Sequence, residues 1–180
     1  VGSEMCIRDS ATTVSAVALS GAQAVAQENK TTISVTNITD IHGHLEDKIG
    51  DPAKAGDEIG VARLQTLIKQ VNEGQEFNLT SSGDNVGGSA FVSAISDDKY
   101  TLEALNQMGM KVSAVGNHEF DKGTEDLTER IQPNSTYPIL GANVLKDGQP
   151  LLKPSHVEEV DGVKVGYVCL LYTSPSPRDG

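Results

Sequence analysis

The chain of 180 residues carries 14 Lys+Arg against 25 Asp+Glu, a formal charge of −11, with 37% hydrophobic residues. That apolar content suffices for one packed domain, while the acidic balance excludes a protein that grips a nucleic-acid polymer through clustered Lys and Arg. With no Trp and only 4% aromatics, stacking platforms for single strands are excluded as well.

In chain order, the two ends are set apart first. Residues 1–10 back-translate to a DNA string whose reverse complement, in a shifted frame, spells the Cys-Leu-Leu-Tyr-Thr-Ser-Pro-Ser-Pro of residues 169–177. Ends related in this way are expected to be translated sequencing adapter, so 1–10 and 169–180 are expected to be non-native. Both cysteines, Cys6 and Cys169, fall there, and cysteine content therefore says nothing about redox compartment. Residues 11–26 are uncharged, rich in small and apolar side chains, and end Ala24-Val25-Ala26, the pattern of a truncated signal peptide with its cleavage site. Export is expected, to a periplasmic, cell-wall-associated or extracellular location, and no stretch reads as a stable membrane span.

The domain is expected over 27–168, and from Thr31 the chain alternates strand-like and helix-like segments, which predicts an α/β layered domain. The β-branched run 32–39 ends at Asp40-Ile41-His42-Gly43-His44, and a polar loop occupies 46–60. Residues 61–71 place Val61, Leu64, Leu67, Ile68 and Val71 at helical spacing, with Asn72-Glu73-Gly74 as the stop. A strand at 77–81 leads into Gly83-Asp84-Asn85. A helix at 101–108 carries Leu102 and Leu105 on one face, with Gly109 as its cap. The strand 111–115 runs into Gly116-Asn117-His118-Glu119. A short helix at 124–131 and a strand at 138–144 follow, and 156–160 with 163–168 form a hairpin through a type I′ turn at Asp161-Gly162.

Three polar clusters thus sit directly after strands: Asp40-x-His42, Gly83-Asp84, and Gly116-Asn117-His118-Glu119 with Asp121 close behind. Loops at the carboxyl ends of strands in α/β sheets converge on one crevice, so residues distant in sequence can meet. Carboxylate, imidazole and amide oxygen make a mixed O/N donor set suited to divalent metals. Strand alternation would put Asp40 and His42 on one side, within reach of one ion, and the Asp84 carboxylate could bridge two. Gly83 and Gly116 would let the backbone turn sharply at the strand ends.

In this order the three clusters resemble the N-terminal half of the metallophosphoesterase signature. The context Gly116-Asn-His-Glu-Phe-Asp121, with Ser89-Ala-Phe-Val-Ser93 before it and Pro138-Ile-Leu-Gly-Ala-Asn-Val144 after, is similar to the secreted bacterial 5′-nucleotidase and 2′,3′-cyclic-nucleotide phosphodiesterase branch. The resemblance implies an incomplete, N-terminal part of a four-layer αββα sandwich in the calcineurin-like class. It implies two divalent metal ions (Zn, Mn, Co, Fe or Mg), with Asp40, His42 and Asp84 on the first and Asp84 with Asn117 on the second. His118 would serve the transition state and leaving group, oriented by Asp121, with Glu119 in support. The implied reaction is metal-dependent hydrolysis of a small-molecule nucleotide or other phosphate ester by a water shared between the ions, with no nucleic-acid polymer as partner.

The family pattern also places further His or Gln ligands and a substrate domain downstream, which the chain does not contain. His156, the one later histidine, reads as a loop residue outside any ligand motif. An inactive metal-binding fragment or a non-catalytic binding relative therefore stands as the alternative. His42-x-His44 also resembles the start of an amidohydrolase metal site, but that family leaves Gly-Asp and Gly-Asn-His-Glu unexplained, and His44 is read as a loop or outer-sphere residue.

Overall fold

A β-branched, half-polar segment followed by an amphipathic helix and a second apolar strand favours a parallel crossover unit, and the chain repeats that unit three times. The computed structural model describes residues 31–48 and 58–172. The expected adapter stretch 1–10, the expected signal segment 11–26, residues 49–57 of the polar loop, and 173–180 lie outside the described residues.

Strand β1 (Ser34–Ile38) is followed by helix α1 (Gly60–Val71) and β2 (Phe77–Ser81). A single turn, α2 (Phe91–Ala94), and helix α3 (Lys99–Met108) lead to β3 (Met110–Ala114). After a 3₁₀ turn (His118–Phe120) comes a helical run in three pieces: α4 (Thr124–Asp126), a π-helical turn (Leu127–Ile131) and α5 (Gln132–Asn134). The widened turn ends directly before Gln132-Pro133, so that Pro133 falls at the start of α5, where its missing N–H leaves no bond unmade. Strand β4 (Ile139–Leu140), a small ribbon of β5 (Leu145–Lys146) and β6 (Gln149–Pro150), and the hairpin of β7 (Ser155–Val160) and β8 (Val163–Val168) complete the order.

The four central strands are all parallel, in the order β1-β2-β3-β4. Right-handed crossovers between strands in sequential order put the connecting helices on one face. That face carries the core: Leu79 of the sheet with Ile68, Leu102, Leu105, Leu127 and Ile131 of the helices. Alternation along β2 turns Asn78 to the other face, where its side-chain amide donates to Tyr167 Oη in β8 at 3.1 Å. A helix layer, a parallel sheet and the start of a second β layer are therefore present, consistent with the expected part of the sandwich. The hairpin turn is as expected, with Asp161 and Gly162 both at positive φ, 49° and 74°.

Some expectations are revised. Helix α1 buries Ile68 and part of Leu64, whereas Leu67 and Val71 stay 47% and 75% exposed. The strand expected over 138–144 pairs with β3 only at Ile139 and Leu140, and on its other edge the Gly141 N–H bonds the Lys153 carbonyl in an isolated parallel bridge. His156 lies in β7, in keeping with the expected hairpin and against its reading as a loop residue, its Nε2 2.7 Å from Glu158 Oε1. Of the stretch 169–180, the described residues bond back to 142–143: Ala142 N–H donates to the Cys169 carbonyl and the Asn143 side chain pairs with the Leu171 backbone.

Candidate active site

Parallel strands release their chains at the same edge, and β1, β2 and β3 each end a few residues before a candidate ligand. Beyond the strands the first two loops stay zipped. Ser82 N–H donates to Ile38 O, Asp40 N–H to Gly83 O, His42 N–H to Asp84 O and Gly43 N–H to Asn85 O, at 2.9–3.3 Å. The third loop lies against the second in backbone contact. A Cβ on Gly116 would fall 2.2 Å from Asp84 Oδ1, and one on Gly83 2.6 Å from the Gly116 nitrogen. Gly83 supplies the expected turn at φ +104°, whereas Gly116 is needed for close approach.

Ligand atoms of Asp40, His42 and Asp84 lie within 4.8 Å of one another, and no other cluster of His, Cys, Asp or Glu of this kind occurs among the described residues. Strand alternation does not bring them together, since β1 stops at Ile38. Asp40, His42 and Asp84 each adopt left-handed backbone, φ +54°, +43° and +55°. Such a conformation costs a non-glycine residue about 1–3 kcal/mol and persists where surrounding bonds enforce it, as the zipped loops do. The three converge as their positions after the strands suggested, but by this backbone geometry, which the sequence did not show.

The donor set fits a divalent cation. His42 Nδ1 lies 2.8 Å from the Gly87 carbonyl, to which it donates. That bond leaves the Nε2 lone pair facing Asp40 Oδ1, 3.7 Å away, as metal-ligating imidazoles require. Asn117 stands exposed at the head of the 3₁₀ turn, and both its neighbours touch Asp84: Gly116 by close approach and His118 through an N–H bond to Oδ1 at 2.9 Å.

His118 and Asp121 also meet, Nδ1 to Oδ2 at 3.0 Å. The hydrogen bond to Asp121 raises the His118 pKa against a smaller opposing effect of burial, and the same bond lowers that of Asp121. The His118 ring stands edge-on to that of His42, centroids 4.8 Å apart. One peptide links the two groups. The carbonyl of Gly87 accepts from His42, and the N–H of Gly88, across the same peptide bond, donates to Asp121 Oδ2 at 2.7 Å.

Glu119 emerges as more than a neighbour of the motif. Its carboxylate, 2% exposed, accepts N–H bonds from Asp84, Asn85 and Gly116 at 2.6–3.0 Å and a longer one from Val86 at 3.4 Å. It ties the second loop to the third. Burial pushes its carboxyl pKa up, and these N–H donors pull it back. His44 lies outside the cluster, paired through Nδ1 with Glu58 Oε2 at 2.8 Å, which Lys48 also contacts at 3.0 Å.

The chain matches the calcineurin-like phosphoesterase family over residues 33–169. It is 30% identical over 182 residues to a cell wall protein of Listeria monocytogenes, covering 85% of this chain and 23% of that protein. It is 31% identical over 148 residues to the 5′-nucleotidase of Mus musculus, covering 76% of this chain and 25% of the other. Among solved structures, the NAD nucleotidase of Haemophilus influenzae superposes with a TM-score of 0.64 at 25% identity, over 77% of this chain and 26% of that one. The chain thus spans about a quarter of the length of these relatives. A family match across most of the chain, falling on the sheet and the three loops that gather the Asp and His side chains, leads to one conclusion: the chain belongs to the calcineurin-like phosphoesterase family, with 5′-nucleotidases among its relatives.

Proposed function

We propose that the protein containing this chain hydrolyses phosphate esters of nucleotides. In this reading Asp40, His42 and Asp84 hold one divalent ion, Asp84 and Asn117 a second, and His118 with Asp121 forms the dyad at the leaving group. The observation that carries it is the convergence of Asp40, His42 and Asp84 beside His118 at one sheet edge. Bound divalent ions would supply positive charge for an anionic phosphoryl group and a nucleophile at neutral pH. His118, held through Nδ1 by Asp121, would turn Nε2 to the ester and hold a proton for the departing oxygen. Glu119 and the Gly87–Gly88 peptide would keep these groups in register. The mouse relative's name supports nucleotides as the substrate class, and that of the Listeria relative supports export.

A second reading applies to the 180 residues alone: a metal-binding unit without turnover, favoured by its covering about a quarter of its relatives. One assay addresses both. A longer protein carrying these residues should release phosphate from a nucleoside monophosphate only with divalent metal. Asp84→Asn should lower the rate by about a hundredfold or more, since even outer partners of metal ligands cost about 10–100-fold. Full turnover after chelation would reject the proposal, and turnover by the 180 residues alone would reject the second reading.

A further inference from the structure

We infer that Asp98 is a positioning residue for both halves of the candidate site, setting His42 and Asp121 through the Gly87–Gly88 segment, an assignment that rests on the metal-site reading above. Asp98 occupies the position before the first residue of α3, where an aspartate ordinarily accepts N–H bonds from the helix's first turn. It makes no such cap. The carboxylate is 4% exposed, the backbone is left-handed at φ +59°, and both oxygens are turned away from the helix. Oδ1 accepts from Ser93 Oγ at 2.7 Å and Oδ2 from the Gly87 N–H at 3.3 Å. Ser93 and Thr101 are fully buried with hydroxyls 2.6 Å apart, so Thr101 donates to Ser93 while Ser93 donates to Asp98. A buried polar chain therefore runs from α3 to Gly87 and ends on that N–H.

Gly87 passes the constraint on. Its carbonyl accepts from His42 Nδ1, and the N–H of the same peptide unit binds Asp121. There is no slack on its other side, where an added Cβ would lie 2.1 Å from the His118 carbonyl oxygen. A helix cap would leave the carboxylate on α3. A carboxylate that forgoes capping for a buried bond to the loop behind a metal ligand fixes which ring nitrogen of His42 carries hydrogen and where Nε2 points.

The test uses the full chain and two readouts that do not depend on turnover. Titration with Co²⁺ should show about tenfold weaker binding in Asp98→Ala, the lower end for an outer partner of a ligand, with recovery in Asp98→Asn, which retains an acceptor for Gly87. In the metal-free wild type, nitrogen-15 spectra should show His42 as the Nδ1–H tautomer and the Gly87 amide protected from exchange. Wild-type affinity in Asp98→Ala overturns the assignment. Should that variant fail to fold, an Nε2–H tautomer or a freely exchanging Gly87 amide overturns it as well. A wild-type chain that binds no Co²⁺ while showing both spectral features overturns the metal reading beneath it instead.

Discussion

At the scale of single residues, charge at His118 is set chiefly by its bond to Asp121, which raises the imidazole above 6.5 and lowers the carboxyl below 3.8. The sign follows from linkage. The histidine's share of stability is complete below its unfolded pKa and disappears as pH rises through the raised value. The aspartate's share is complete above its own unfolded value and disappears as pH falls through the lowered one. The pair thus stabilises the fold across the acidic to near-neutral range. An NMR titration of the metal-free chain should find His118 above 6.5, and Asp121→Asn should bring it down. An unchanged value would mean the bond does not form in solution. Glu119 allows a second prediction, because Glu119→Gln turns an amide NH₂ toward backbone donors that now meet carboxylate oxygens. With buried N–H groups left unpaired, about 2–3 kcal/mol should be lost in urea unfolding. A loss under about 0.5 kcal/mol, the range of a surface substitution, would show that Glu119 does not clasp the loops. The sequence revealed which residues gather, since Asp40, His42 and Asp84 each follow a recognisable strand. It did not reveal how, because a left-handed Asp or His carries no mark comparable to a glycine's.

At the scale of elements, legibility tracked how local the forces are. The hairpin was readable to within one residue, as Asp161-Gly162 favours the positive φ of both turn residues. Gly162→Ala should therefore cost about 1 kcal/mol in thermal unfolding. Nothing lies within 4 Å of the added Cβ, so the loss would be conformational rather than steric. Equal stability would imply a different turn in solution. Elements set by tertiary contact were not readable. Helical spacing in α1 suggests a broad apolar face, yet of its residues only Ile68 is buried, and the end of the helix is tied to β1 by polar bonds instead, Asn72 accepting from Ser34 and donating to Thr36. The single turn α2 is too short for a periodic signal. Its value lies in Ser93, whose hydroxyl reaches Asp98 five residues on, a turn contact that leaves no periodic trace in the sequence.

At the scale of the whole molecule, the strained loops and the acidic charge point to the same dependence. The described residues place Asp40, His42 and Asp84 in left-handed backbone with two carboxylates close together, a local arrangement that is unfavourable without a cation. The rest of the fold maintains it through the four N–H bonds at Glu119 and the zipped loops. A cation that binds the folded chain and not the unfolded one adds stability by mass action, about 2.7 kcal/mol at a hundred times its dissociation constant. Added Mn²⁺ or Zn²⁺ should therefore raise the thermal midpoint of the wild-type chain, and a chelator should reverse it. His42→Ala and Asp84→Asn should unfold at a midpoint the metal leaves unchanged. Because removing a carboxylate also relieves repulsion, Asp84→Asn should match or exceed the metal-free wild type in stability while losing the metal response. A midpoint that rises equally in both variants would assign the cation to the general acidic surface, with its charge of −11, and would separate the three loops from metal binding altogether.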